Sequence, residues 1–311
     1  MMGDILTAAF WIGVLASGIR LATPYLFAAL GETLGQRSGV LNLGVEGQML
    51  MGAFIAFYVT LQTGSLWLAM LAAAGVGAVM GLAMAYVSVD LHAEQGISGI
   101  GFYLFGLGMS TLLFQMLVGT VETVSGFSEI HIPLLSDIPV IGEILFQQNI
   151  LVYIAFALVP VAQFVLTKTT LGLKIRAAGE NPEAADSLGV SVRLVRYITV
   201  TLGGLLSGVA GASMSIALLN VFQQNMTSGL GFIAVALVYF GGWRPLGVLL
   251  GALLFSMVSA LQLRLQLIPA WPIPSDLMVM TPYIVTIIAL VLTMQRVRAP
   301  SALTKPFERG G

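Results

Sequence analysis

Asn42 and Glu46 stand four residues apart in the stretch GVLNLGVEGQ, among glycines at 39, 44 and 47. On a helix that spacing puts an amide and a carboxylate on one face. The amide donates and accepts hydrogen bonds, the carboxylate accepts them, and glycines let a backbone approach closely. Such groups suit contact with a hydroxylated solute. They equally suit the capping of a helix start, where the dipole favours an anion. A carboxylate at the centre of a membrane helix costs about 3 kcal/mol unless it faces a polar cavity or a partner. Asn42, Gly44, Glu46 and Gly47 are therefore candidates for a conduit or its gate, with capping by Glu46 as the competing assignment. A second polar stretch, NVFQQNMTSGLG from Asn220, adds Asn220, Gln223, Gln224 and above all Asn225 as candidates to receive a ligand.

Other chemistries are excluded or unsupported. The chain has no cysteine, so it has no disulfide, thiolate nucleophile or Cys-ligated metal. His92 and His131 lack a His or carboxylate at ligand spacing and are expected at the surface, so no metal and no cofactor is called for. Neither a Ser/His pair nor an HExxH motif is present, and without GxxxxGK[ST] the chain cannot hydrolyse ATP itself. It is not expected to be an enzyme.

The elements that must position these residues are membrane helices. Of 311 residues 58% are hydrophobic and 9% charged, against about a quarter charged in soluble domains. The mean hydropathy is +0.96. Apolar runs long enough to cross the roughly 30 Å hydrocarbon core lie near 5–30, 46–62, 66–87, 97–119, 149–167, 197–218, 245–263 and 276–294, with a shorter one at 230–242. Their length and uniform apolarity exclude a barrel. The fold class is an all-α polytopic membrane protein of about eight to ten helices, one domain over residues 1–311. The N-terminal run lacks a basic leader and a small-residue cleavage site, so it is expected to be retained as the first membrane segment. Gly31–Gly47 and Asn220–Gly242 combine polar residues with glycines beside apolar runs, in opposite halves of the chain. Such pairs mark transport pathways.

Charge sets the orientation. Lys168, Lys174, Arg176, Arg193 and Arg196 fill the linker 168–196, and Arg296, Arg298, Lys305 and Arg309 fill the tail 295–311. The loop 120–148 has no Lys or Arg, only Glu122, Glu129, Asp137 and Glu143. By the positive-inside rule the linker and tail are cytoplasmic and the loop is extracytoplasmic. The side of the N-terminus depends on whether Arg20 and Pro24 break the first span. Arg20 is expected to snorkel or to meet a carboxylate such as Glu32, and Trp11, Trp67, Trp243 and Trp271 to sit at interfaces. Asp276 starts the last span.

In the linker, Asn181 is a good N-cap, Pro182 suits the first helical position, Glu183 and Asp186 suit the first turns, and Gly189 suits the stop. A two-turn helix at 182–188 follows, with Ala184, Ala185 and Leu188 as its apolar face. Such a helix is marginal alone, so it is expected to pack on its own membrane domain, the reading its residues favour, or to dock on a partner.

EAADSLG at 183–189 fits the EAA-x3-G pattern of ATP-binding-cassette permeases. Together with ATPYLFAALGETLGQRSGVLNLGVEGQMLMGAF (22–54), AAGENPEAADSLGVSVRLVRYITVTLGGLLSGVAGA (177–212) and GFIAVALVYFGGWRPLG (231–247), it resembles the permease family for branched-chain amino acids, simple sugars and nucleosides, most closely the nucleoside and sugar branch. The resemblance implies a type II importer transmembrane domain in the cell membrane of a prokaryote. It implies a cytoplasmic ATPase partner, a second permease chain (a paralogue or a second copy) and an extracytoplasmic binding protein; the acidic loop 120–148 is a candidate contact for that protein, with an ordinary solvated loop as the favoured alternative, and no nucleic-acid partner is expected. Glu183, Ala184, Ala185, Leu188 and Gly189 become the ATPase-coupling helix, and the LNLGVEG block becomes pathway or gate. Nucleosides are the expected cargo, then sugars, then branched-chain amino acids. The alternative is an ion-coupled secondary transporter of a small polar solute, which would need acidic coupling sites within the spans; those after residue 66 offer almost none.

Overall fold

The computed structural model describes residues 7–268, 274–294 and 298–308. Trp271, Arg296, Arg309 and the side chain of Asp276 lie outside the described residues. Twelve α-helices are described: α1 (Ala8–Arg37), α2 (Val45–Thr63), α3 (Leu66–Ala85), α4 (Gln95–Leu117), α5 (Ile141–Leu145), α6 (Ile150–Lys168), α7 (Thr170–Glu180), α8 (Pro182–Ser187), α9 (Val192–Ser213), α10 (Leu230–Phe240), α11 (Pro245–Gln266) and α12 (Ser275–Met294). π-Helical turns extend α3 over Tyr86–Asp90 and α9 over Met214–Leu218. Two three-residue strands, β1 (Glu129–His131) and β2 (Gln147–Asn149), pair antiparallel across the loop that has no Lys or Arg. Among the described residues six helices, α1, α3, α4, α6, α9 and α11, are by length and composition suited to cross a membrane. This is an all-α polytopic architecture.

Helix starts follow local chemistry. Thr7, Ser65, Glu94, Asn149, Thr169, Asn181 and Ser191 each accept a hydrogen bond from an N–H in the first turn they precede, as side-chain N-caps do. Two helices start after a glycine. α2 follows Gly44 and α10 follows Gly229, residues with no side chain to cap with. Their open N–H groups must be met from elsewhere.

α1 runs unbroken through Arg20 and Pro24. The irregular segments are shorter than the sequence suggests: Gly31–Arg37 is still helical, leaving 38–44 as one break and 219–229 as the other. Arg20 does not meet Glu32, which lies about 18 Å further along the helix. It donates to Glu129 and, at 3.2 Å, to Gln148 Oε1. The loop 120–148 thus packs beside the first half of α1, while the tail 298–308 and the basic linker gather at its other end, where Thr304 N donates to Gly39 O.

α9 is the hub, packed against α1, α2 and α3. Its glycines make that possible. A Cβ at Gly204 would run into the backbone of Gly77 and Gly81, and one at Gly208 into Ala73. Small residues at helix crossings let membrane helices gain van der Waals contact at short range. Gly204→Ala is expected to lower stability by about 1–3 kcal/mol through forced separation of the helices. Gly101→Ala on α4, where nothing lies within 4 Å, is the control; thermal unfolding of both in detergent checks this.

Candidate functional site

Glu46, in the first turn of α2 just after the 38–44 break, meets the other irregular segment at Thr227, 181 residues away in sequence. Its carboxylate is 1% exposed. Oε1 accepts from Thr227 Oγ1 at 2.6 Å and from Gly229 N at 2.7 Å, and Oε2 accepts from Gly231 N at 2.5 Å. Gly229 is the N-cap of α10, left-handed at φ +90. Glu46 therefore supplies the cap that α10 lacks, placing a negative charge where the helix dipole favours it. Bonds to an ionised acceptor are the stronger kind. Among the described residues no Lys or Arg pairs with it; neutral donors satisfy the charge.

A second buried carboxylate orders the 38–44 turn. Glu32 Oε1 accepts from Asn42 N at 3.0 Å and from Gln36 Nε2 at 2.9 Å. Asn42 Oδ1 accepts from Gly44 N at 2.9 Å, an Asx turn just ahead of α2, and Asn42 Nδ2 donates to Gln48 Oε1 at 3.2 Å. Gln36 Oε1 accepts from Trp243 Nε1 at 2.7 Å and Arg37 Nε donates to Trp243 O at 2.8 Å. Trp243 is buried, correcting the expectation of an interfacial anchor. Its indole N–H is the reason, since a buried indole needs a partner and Gln36 provides one.

The sequence-derived candidates take different places. Asn42 and Glu46 are inside the protein, tied to protein partners. Gly44 and Gly47 are points of close approach: a Cβ on Gly44 would sit 2.8 Å from Phe102 Cβ, and one on Gly47 would sit 2.8 Å from Tyr103 Cα, so both let α2 lie against α4. Asn225 is exposed, left-handed at φ +57, and touches neither Asn42 nor Glu46; its carbonyl accepts from Ser228 N at 3.0 Å. Thr227, Gln36 and Gln48 were not singled out in the sequence. Glu32–Gln36 repeats the Asn42–Glu46 signal, two polar groups at i,i+4 in an apolar setting.

The segment 219–229 is anchored on both sides of its exposed part. Phe222, 0% exposed, packs among Phe54, Phe57 and Phe114, and Thr227 and Gly229 hold Glu46. Between these anchors Gln223, Gln224 and Asn225 are exposed, joined beyond Thr227 by Ser228. Asn220, Asn225, Ser228 and Gly229 all have positive φ, a conformation costly for residues other than glycine and kept where surroundings dictate it. The result is a fixed row of neutral donors and acceptors.

At the other end, α8 is built as its residues require. Asn181 Oδ1 accepts from Ala184 N at 3.0 Å and Gly189 stops the helix at φ +80. Ala185 is buried against Ile175, Ala178 and Val192. Glu183, Ala184 and Gly189 are exposed, and Leu188 is 85% exposed. The three apolar residues do not share one buried face. Exposed His92 and His131 each meet a carboxylate, Glu308 and Asp137, at 3.4 Å, and among the described residues no group of side chains is arranged to hold a metal.

The clamp has a measurable worth. Glu46→Gln leaves an amide N–H facing backbone donors and is expected to cost about 2–3 kcal/mol, and Thr227→Val about 1 kcal/mol. Denaturation of the detergent-solubilised variants checks both; wild-type melting of Glu46→Gln would show that α10 is capped by other means.

Residues 14–292 match the family model of the permease component of branched-chain amino acid transport systems. Haloferax volcanii TsgC13, whose name provisionally makes it a glucose ABC transporter permease, is 39% identical over 97% of this chain and 99% of its own. NupQ, a guanosine ABC transporter permease of Bacillus subtilis, is 37% identical over 93% of this chain and 94% of its own. A second guanosine permease of that organism, NupP, is 26% identical over 83% of this chain and 78% of its own. No solved structure matches the chain significantly.

Proposed function

Because the chain belongs to the family of permease components of branched-chain amino acid transport systems, we propose that it forms one membrane-spanning half of an ATP-driven importer in a prokaryotic plasma membrane, carrying a nucleoside or, second, a simple sugar. The observation that carries the cargo class is the anchored segment 219–229. After the exposed Leu219 that opens it, its exposed side chains are the amides of Gln223, Gln224 and Asn225 and the hydroxyl of Ser228, and the whole segment has no charged residue. Amides and hydroxyls both donate and accept, which suits ribose or hexose hydroxyls and the edge of a base. A zwitterionic amino acid would find no counter-charge there. The guanosine permeases among its relatives point the same way. Weak, replaceable polar contacts suit passage better than tight holding.

The motor is a separate chain, and α8 is its contact. Leu188 is exposed at the end of the molecule that carries the basic linker and tail, the end the positive-inside rule puts in the cytoplasm. Burying such a side chain against a partner is worth about 2 kcal/mol. α1, unbroken, then begins on the outer side. The 120–148 loop, on that side, is the surface for an extracytoplasmic binding protein. The Bacillus guanosine permeases NupQ and NupP differ in their likeness to this chain, which supports a paralogous second permease as partner over a second copy.

A tagged chain purified at native level in mild detergent is expected to bring an ATPase and a sister permease with it. Glu183→Lys or Gly189→Val, which puts a side chain at φ +80, is expected to release the ATPase while the bundle stays folded. Retention of both the ATPase and transport in these variants would remove α8 from the coupling role. Gln224→Ala is expected to lower guanosine uptake about fivefold, the loss of one hydrogen bond of ~1 kcal/mol, without loss of ATPase; uptake of labelled guanosine against labelled glucose decides the cargo.

A further inference from the structure

The C-terminal tail is bound to two elements with separate roles. On one side it is stitched to the end of α7, immediately before the residue that caps α8. Ala302 N donates to Gly179 O at 2.9 Å, and Ser301 Oγ donates to Glu180 Oε2 at 3.2 Å. Phe307 packs against the apolar cluster that contains Ala185 of α8. On the other side the tail meets the 38–44 turn. Thr304 N donates to Gly39 O at 3.1 Å. Arg196, 1% exposed, spans both: Nε donates to Ser38 O at 3.2 Å and Nη1 to Lys305 O at 3.1 Å. Thr304 is left-handed at φ +64, a strained conformation for a threonine that persists where both sides of a segment are fixed.

We propose that Ser301–Phe307 is a transmission strut, a positioning segment that carries displacement of α8 to the 38–44 turn; this rests on the reading of α8 as the coupling helix. From the turn the contacts continue without a gap. Asn42 is held by Glu32, the next helix brings Glu46, and Glu46 holds the start of α10 and the segment 219–229. Chains of packed side chains and hydrogen bonds can carry coupling between distant sites, and these contacts form such a chain from α8 to α10. Apart from the tail, α7 reaches this turn by the passage of Gly179 past the Arg37 carbonyl, too close for a Cβ.

Thr304 separates the strut from its alternatives. Thr304→Gly keeps the N–H and suits φ +64, whereas Thr304→Pro removes the N–H and cannot adopt a positive φ. The chain has no cysteine, so spin labels on Lys174→Cys, exposed on α7 just ahead of α8, and Phe232→Cys, exposed on α10, report one distance in the assembled importer, with and without trapped ATP. An ATP-dependent change in that distance is expected in the otherwise wild-type chain and in Thr304→Gly. In Thr304→Pro the change is expected to vanish and solute moved per ATP to fall about tenfold, with the ATPase still bound and hydrolysing. A preserved distance change in Thr304→Pro overturns the strut. Loss of the ATPase from Thr304→Pro also overturns it, making the tail a docking surface. An otherwise wild-type chain that binds no ATPase fails one step earlier, at α8, and takes the strut with it.

Discussion

A helix that begins inside a protein, away from water, exposes N–H groups that nothing in its own backbone can satisfy. α10 begins that way, after a glycine, and the Glu46 carboxylate accepts from two of its backbone N–H groups, Gly229 and Gly231, and from the Thr227 hydroxyl beside them. The same contacts settle the charge on Glu46, which would otherwise be an ion buried without a partner. Each group removes the cost of the other. Because Glu46 comes from the first third of the chain and α10 from the last, the interaction joins the two halves of the fold at the level where both are irregular. Close crossing of α2 and α4 at Gly44 and Gly47, and the aromatic nest around Phe222, both lie beside this junction.

The inner end of α10 is held by the same stretch of chain. Gln36 and Arg37 take the indole N–H and carbonyl of Trp243, just beyond the helix. Gln36 in turn leans on Glu32, which also fixes the 38–44 turn. Residues 32–46 therefore act as a bracket, with α10, about 16 Å long, as the rod between its arms. The glycine-lined hub of α9 supplies the packing behind the bracket, and Ser38 links the two through the Thr199 hydroxyl at 2.7 Å.

Much of this was legible in the residues. The apolar runs match the helices to within about five residues except at α1, which continues to Arg37, and six of the described helices are long and apolar enough to cross a membrane. The capping of α8 by Asn181 and its stop at Gly189 were legible because both are local backbone chemistry. What was not legible depends on partners far along the chain. Trp243 reads as an interfacial residue until Gln36 is known to face it. Arg20 has several carboxylates to choose from, and its choice of Glu129 depends on how the outer loop folds back. For Glu46, conduit and cap were both open from spacing alone; its placement against Thr227 and Gly229 is a tertiary fact that no local pattern encodes. The outward turn of Leu188 away from Ala185 has the same origin, since only the cluster around Ile175 decides which apolar side is inside.

The bracket limits how α10 moves. A rod gripped at both ends by one continuous stretch of backbone does not slide along its axis or unwind from one end without breaking charge-assisted contacts at Glu46 or the indole contact at Gln36. It is free to tilt with its holder. A passage beside α10 would then widen and narrow as a shutter hinged in its frame does, as one piece, so the amide row just ahead of the helix would turn toward one side of the membrane or the other without losing its shape.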